Sequence, residues 1–143
     1  MIYHSVDNFI LPRDITDRLN YALYFESIDP RLFSIIHRLS WNEDHAISDF
    51  FQLRKIMADL NEIEFTGRYD IVYFDAFGPE KQPGMWTENI FRKIYNAMNP
   101  GGILTTYSSK GEVRRKLEKC GFIVEKIQGP PGKREMSRCI RKN

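Results

Sequence analysis

The run Ile71-Val-Tyr-Phe74, closed by Asp75 and followed by Ala-Phe-Gly-Pro-Glu-Lys-Gln-Pro-Gly-Met-Trp86, constrains this chain more than any other segment. A short continuous apolar run bounded by turn residues predicts a strand buried on both faces, as in a parallel sheet. The loop after it holds two prolines and two glycines, which limit its backbone freedom. In open α/β sheets ligands bind beyond the carboxyl ends of the strands. Asp75 therefore stands where a carboxylate can do chemistry.

The rest of the chain reads as strands alternating with helices. Ile2–Val6 predicts a strand ending at Asp7. Pro12 to about Leu23 has helical apolar spacing. Asp29-Pro30 is an N-cap and first-turn pair for a second helix. Trp41–Ser48 reads as a polar connection, and Phe50–Met57 as a strand ending at Ala58-Asp59. Trp86–Met98 predicts an amphipathic helix carrying Ile90, Phe91, Ile94, Tyr95 and Met98, stopped by Asn99-Pro-Gly-Gly102. Ile103–Tyr107 predicts a buried strand, Gly111–Lys119 a helix, and Phe122–Ile127 and Glu135–Ile140 two strands. The Gly129-Pro-Pro-Gly132 turn is too short for a crossover, so the last two strands form an antiparallel pair. The periodicity implies an α/β class with a mostly parallel sheet.

At 143 residues the chain fits one domain, and 42% hydrophobic with 13% aromatic residues is enough for a core. No run of eighteen apolar residues is present. Only Cys120 and Cys139 occur and the N-terminus lacks a signal-peptide layout, so reduced thiols in a cytoplasmic protein are expected. His4, His37 and His45 lack metal-ligand spacing, and neither a nucleophile elbow nor a Walker loop is present. Residues 110–143 hold eleven Lys/Arg against four Glu, a balance of +7, while residues 1–109 balance at −5. That asymmetry suggests either a polyanion-facing surface in the last third or a solvated basic helix face.

Asp75-Ala-Phe-Gly-Pro-Glu-Lys-Gln-Pro-Gly-Met-Trp86 is similar to the D-x-F-x-P-x-K-x-P-x-M-W signature of the MnmC-type tRNA methyltransferases. Asn99–Ser109 with Val113-Arg-Arg-Lys-Leu117, and Gly132-Lys-Arg-Glu-Met136, resemble that family's following strand, helix and C-terminal strand. The resemblance covers roughly residues 69–138. It implies a Rossmann-like class I methyltransferase sheet and the cofactor S-adenosylmethionine. The implied reaction is methyl transfer, without a metal, to the aminomethyl nitrogen of a modified wobble uridine in tRNA. No flavin-binding segment is present, so the oxidase fused to some family members is not expected here.

One part of the family pattern is missing. Such enzymes open with a strand and a glycine-rich loop, whereas this sequence has no G-x-G-x-x-G cluster and its first strand matches the family's second. Residues 1–143 are therefore expected to form a single, N-terminally incomplete domain. Unpaired sheet edges would favour a homo-oligomer or a distorted cleft.

The resemblance implies that Asp7 accepts from the ribose hydroxyls and Asp59 from the adenine amino group, though both also suit strand-end turns. Asp75 would contact the cofactor side and accept the proton of the attacking amine. Phe77 and Trp86 could stack on a base, with core packing the alternative for Trp86. Tyr107, with Ser108, could line the substrate pocket. Lys81, Arg114, Arg115, Lys133 and Arg134 are candidate phosphate contacts. The competing reading is a non-catalytic methyltransferase-fold remnant that at most binds RNA through its basic C-terminal third.

Overall fold

The computed structural model describes residues 1–24, 29–132 and 134–142. These divide into two compact units, Met1–Ile63 and Glu64–Asn143. The strands lie in two mixed sheets, one in each unit.

In the first unit β1 (Ile2–Asp7) runs parallel to β3 (Phe51–Met57), and β2 (Asp44–Ser48) lies antiparallel on the other side of β3. β2 falls inside the segment expected to be a polar connection. Its burial alternates residue by residue, the mark of a strand with one face in solvent. The helix expected over residues 12–23 is reduced to α1 (Arg13–Thr16), which buries no residue, and a 3-10 turn at Tyr21–Tyr24. Isolated short helices are marginal without an apolar face to bury.

α2 (Pro30–Arg38) begins as expected: the Asp29 side chain accepts the Arg31 N–H at 2.9 Å, with Pro30 in the first turn. Its C-terminal end meets a buried cation. Lys55 Nζ donates to the carbonyls of Ile36 (3.0 Å) and His37 (3.3 Å) and lies 5.0 Å from the Trp41 ring centroid. Terminal helix carbonyls lack intrahelical partners and carry partial negative charge, so an ammonium there is favourable.

In the second unit the strand order is β4 (Tyr69–Tyr73), β5 (Met98–Thr106), β7 (Glu135–Arg141), β6 (Phe122–Gln128). β4 and β5 are parallel, and β7 is antiparallel to both β5 and β6. The expected C-terminal antiparallel pair is present, with β7 inserted between β5 and β6. β5 starts at Met98, five residues before the expected Ile103, and shifts register between Tyr69 and Ile71 of β4. Gly102 makes that approach feasible: an added Cβ would sit 2.8 Å from the Asn99 carbonyl oxygen.

Helices α3 (Glu88–Ala97) and α4 (Gly111–Lys119) carry the core. Thr87 caps α3 by accepting the Ile90 N–H at 3.3 Å, so the helix starts two residues after Trp86. Ile90, Phe91, Ile94 and Ala97 bury one stripe of α3, and Val113 and Leu117 one stripe of α4. They meet Leu104, Phe122 and Cys139 from the sheet.

The expectation that Ile71–Phe74 is buried on both faces does not hold. β4 is an edge strand, with Phe74 buried but Ile71 and Tyr73 54% and 63% exposed. Across the sheet Ile71 registers with Ile103, Ile103 with Ile140, and Ile140 with Ile123, a row of four isoleucines on one face. The adjacent register row, with Leu104 and Cys139 fully buried, belongs to the opposite face.

Candidate functional site

Each unit ends its parallel strand pair in a carboxylate. In the first, Asp7 closes β1 and the Ala58 N–H donates to the Asp7 carbonyl at 3.1 Å, so Asp7 and Asp59 follow neighbouring strand ends. Asp7 Oδ1 accepts the Phe9 N–H at 2.9 Å. Asp59 Oδ1 accepts the Asn61 N–H at 2.7 Å and the Asn61 amide at 2.9 Å. Both thus serve the turns they begin, as their short side chains allow. A carboxylate offers two oxygens and several lone pairs, so a local turn bond does not exhaust it.

In the second unit Asp75 lies two residues past β4, exposed, in a loop held at several points. The Phe74 N–H donates to the Thr105 carbonyl at 2.8 Å, extending the β4–β5 ladder. The Tyr107 hydroxyl donates to the Ala76 carbonyl at 2.8 Å. Trp86 Nε1 donates to the Phe77 carbonyl at 2.7 Å, and Gln82 Oε1 accepts the Phe77 N–H at 3.2 Å. The Lys81 and Gln82 N–H groups both donate to the Gly78 carbonyl, and Glu80 pairs with Lys110. Burial, and secondarily the Asp75 charge, raises the Tyr107 hydroxyl above its usual pKa, so the phenol remains a donor at neutral pH.

Trp86 is corrected from a stacking candidate to a core residue. It is 1% exposed, with Phe74, Phe91 and Tyr107 rings centred 5.0, 6.3 and 6.0 Å away in edge-on contacts. No base can reach it. Phe77, by contrast, is 72% exposed while its backbone is bonded at both N–H and carbonyl. Tyr107 is part-buried and Ser108 is buried. Gln82 was not legible as a site residue; only its position inside the proline-bounded loop hints at its bond.

Among the described residues, several cations of the basic last third pair with carboxylates. Arg114 pairs with Glu118, Lys116 with Glu112, Lys119 with Glu88, Lys126 with Glu135 and Arg138 with Glu125. Four of these carboxylates are already counted in the +7 balance, and Glu88 with Glu80, which pairs with Lys110, lowers it by only two more. Arg115, Arg134 and Lys81 are exposed, and Lys133 lies outside the described residues. Among the described residues no group of three or more His, Cys, Asp or Glu is arranged to hold a metal. Cys120 and Cys139 are free, buried thiols, and burial pushes Cys139 up to about 12.

Residues 35–142 match the model of an S-adenosyl-L-methionine-dependent methyltransferase family, well over half of the chain. The chain belongs to this family. Asp59, Asp75, Phe77 and Tyr107 lie inside the matched span, and Asp7 lies before it. The fold is also that of MnmC2 from Aquifex aeolicus: TM-score 0.67, 22% identity, covering 96% of this chain and 43% of that one. A possible exported protein from Bordetella parapertussis shares it more loosely, at TM-score 0.52 and 12% identity over 64% of this chain and 45% of that one. The chain thus spans less than half the length of either solved relative.

The adenosine half of the cofactor fits the residues present. Its ribose hydroxyls and adenine amino group are donors, and Asp7 and Asp59 are acceptor-only groups placed at strand ends where such ligands bind.

Proposed function

We propose that this chain carries out S-adenosylmethionine-dependent methyl transfer to the aminomethyl nitrogen of a modified wobble uridine in tRNA. The observation that carries the reading is Asp75, exposed at the end of β4 on a loop fixed by Tyr107, Trp86 and Gln82. The D-x-F-x-P-x-K-x-P-x-M-W motif and the fold shared with MnmC2 support the choice of substrate.

The bound cofactor supplies an electrophilic methyl on sulfonium. What the chain must supply is a nucleophile. An aliphatic amine has a pKa near that of Lys, about 10.4, so freeing its lone pair at pH 7 costs about 4–5 kcal/mol. Asp75 accepts that proton and orients the nitrogen, and the fixed loop keeps the carboxylate aimed. Asp7 and Asp59 hold the ribose and the adenine amino group. Phe77, exposed beside Asp75 in sequence and rigid in backbone, offers a face on which the target base stacks, worth about 1–3 kcal/mol.

The test is single-turnover methylation of tRNA lacking the final methyl group, comparing the chain with Asp75→Asn. Proton acceptance is worth about 10²–10⁴ in rate, so the variant is expected to lose at least a hundredfold while still binding cofactor. Equal rates would remove Asp75 from the chemistry. Binding of tRNA without any turnover by the unaltered chain would support the non-catalytic remnant instead.

A further inference from the structure

We propose that the outer face of α3, together with the segment before β4, forms a track for a nucleic-acid phosphate backbone leading away from the Asp75 loop. A groove of about 400 Å³ runs there, lined among others by Gly67, Arg68, Asn89, Arg92, Lys93 and Asn96. The four helix residues are spaced three, four and seven apart from Asn89, so they form one stripe, opposite the buried stripe Ile90, Phe91, Ile94 and Ala97. Asn89 is in the first turn of α3, just after the Asp75–Trp86 loop, and Asn96 is in the last. The stripe covers about 10 Å at ~1.5 Å per residue.

On α4 and the C-terminal hairpin Arg114, Lys116, Lys126 and Arg138 pair with carboxylates. The α3 stripe sets two adjacent cations between two amides and contains no carboxylate; Glu88, its neighbour, is engaged by Lys119. Arg92 is exposed and makes no ion pair among the described residues. Arg68 is fixed across the groove by donating to the Asn96 carbonyl, which leaves the rest of its fork for a ligand. Three cations against the single carboxylate Glu64 give the groove a net positive charge.

The shape selects the ligand. Arg68 immediately precedes β4 and Asp75 follows it, so the groove's far end and the carboxylate are separated by about 23 Å at ~3.3 Å per residue. A long polyanion reaches from one to the other, and an isolated phosphate or nucleotide does not. Amides beside the cations add neutral hydrogen-bond donors and acceptors of the kind that contact phosphate and sugar. The inference rests on the RNA-directed reading above and extends it by naming where the strand lies.

The experiment is fluorescence anisotropy of a labelled anticodon stem-loop with the full chain, from about 50 to 200 mM salt. It compares the unaltered chain with Arg92→Gln/Lys93→Gln. Each lost contact removes about 0.7–0.9 from the slope of log affinity against log salt. The variant is therefore expected to show a slope shallower by about 1.4–1.8 and an affinity about 25- to 60-fold weaker near 0.1 M. S-adenosylhomocysteine binding should be unchanged. Binding by the chain with slope and affinity identical in the variant overturns the track and leaves the RNA-directed reading standing. No RNA binding by the unaltered chain overturns both. Competition by poly-glutamate as strong as by RNA at equal charge, or displacement by inorganic phosphate at constant ionic strength, also overturns the nucleic-acid track. Should the double variant not fold, Asn89→Asp places a carboxylate in the same stripe and is expected to weaken RNA in the same salt-dependent way.

Discussion

The two units solve the same local problem with very different support. Both present a carboxylate at the end of a parallel strand pair, Asp7 and Asp59 in one, Asp75 in the other. Among the described residues, thirteen of the fourteen buried hydrophobic side chains lie in Glu64–Asn143, and only Leu53 lies in Met1–Ile63. The exposed large hydrophobics are distributed the other way, with Phe9, Leu23, Tyr24 and Phe50 all above 70% exposure. Burying one Leu, Ile or Phe is worth about 1.5–3 kcal/mol, so packing stabilises the second unit far more. Asp75 is therefore held by a cored scaffold, and the Asp7–Asp59 pair by backbone pairing and turns.

The largest expected effect tests the cored side. Trp86→Ala removes the ring that both fills the core and holds the Phe77 carbonyl, and should cost about 3–5 kcal/mol. Urea unfolding followed by circular dichroism measures it; a loss below about 1 kcal/mol would deny Trp86 its central place. Leu53→Ala, at the one apolar core position among the described residues of the first unit, should cost less than Trp86→Ala, and the reverse order would break the comparison.

Hydrogen exchange sharpens the contrast without mutation. Amides of β5 and β7 should be protected to near the global stability and those of β1 and β3 several-fold to orders of magnitude less. Equal protection would mean that both sheets open together.

A milder effect concerns the loop. Tyr107→Phe deletes the bond to Ala76 and should cost about 0.5–1.5 kcal/mol, with a slower methyl transfer and little change in cofactor affinity. A changed affinity with an unchanged rate would place Tyr107 elsewhere in function.

The smallest effect is a pH dependence in the first unit. Burial, then the Lys55 charge, lowers the His37 pKa below its usual 6.5. The unfolded chain therefore takes up that proton first as pH falls. Stability is full above about 6.5 and is lost progressively as pH falls through the folded pKa. Thermal melts between pH 7.5 and 5 should show a decline that His37→Gln reduces; a rise on acidification would contradict the assignment.

Much of this was legible in the sequence because local signals were strong. Asp29-Pro30 starts α2, Gly121 at φ 105° stops α4, and the Gly129–Gly132 turn forces the antiparallel pair. The exposure of Ile71 and Tyr73 was not legible, because an apolar run reads alike on an edge strand and a central one. Nor was the pairing of Lys119 with Glu88, which lie far apart in the chain. Trp86 and Phe77 sit in one motif, and only the packing separates a core pillar from an exposed face. The α3 stripe was present as Asn89, Arg92, Lys93 and Asn96, but spacing alone cannot tell a groove from a solvated face.

The central claim is that the sparsely packed unit still holds the cofactor through its strand-end carboxylates. Calorimetric titration with S-adenosylhomocysteine tests it most directly. The account predicts saturable binding, weakened about 10- to 100-fold in Asp7→Ala, the loss expected for hydrogen bonds to a charged group at about 1.5–3 kcal/mol. No heat from the folded, unaltered chain, or binding indifferent to Asp7, would contradict it.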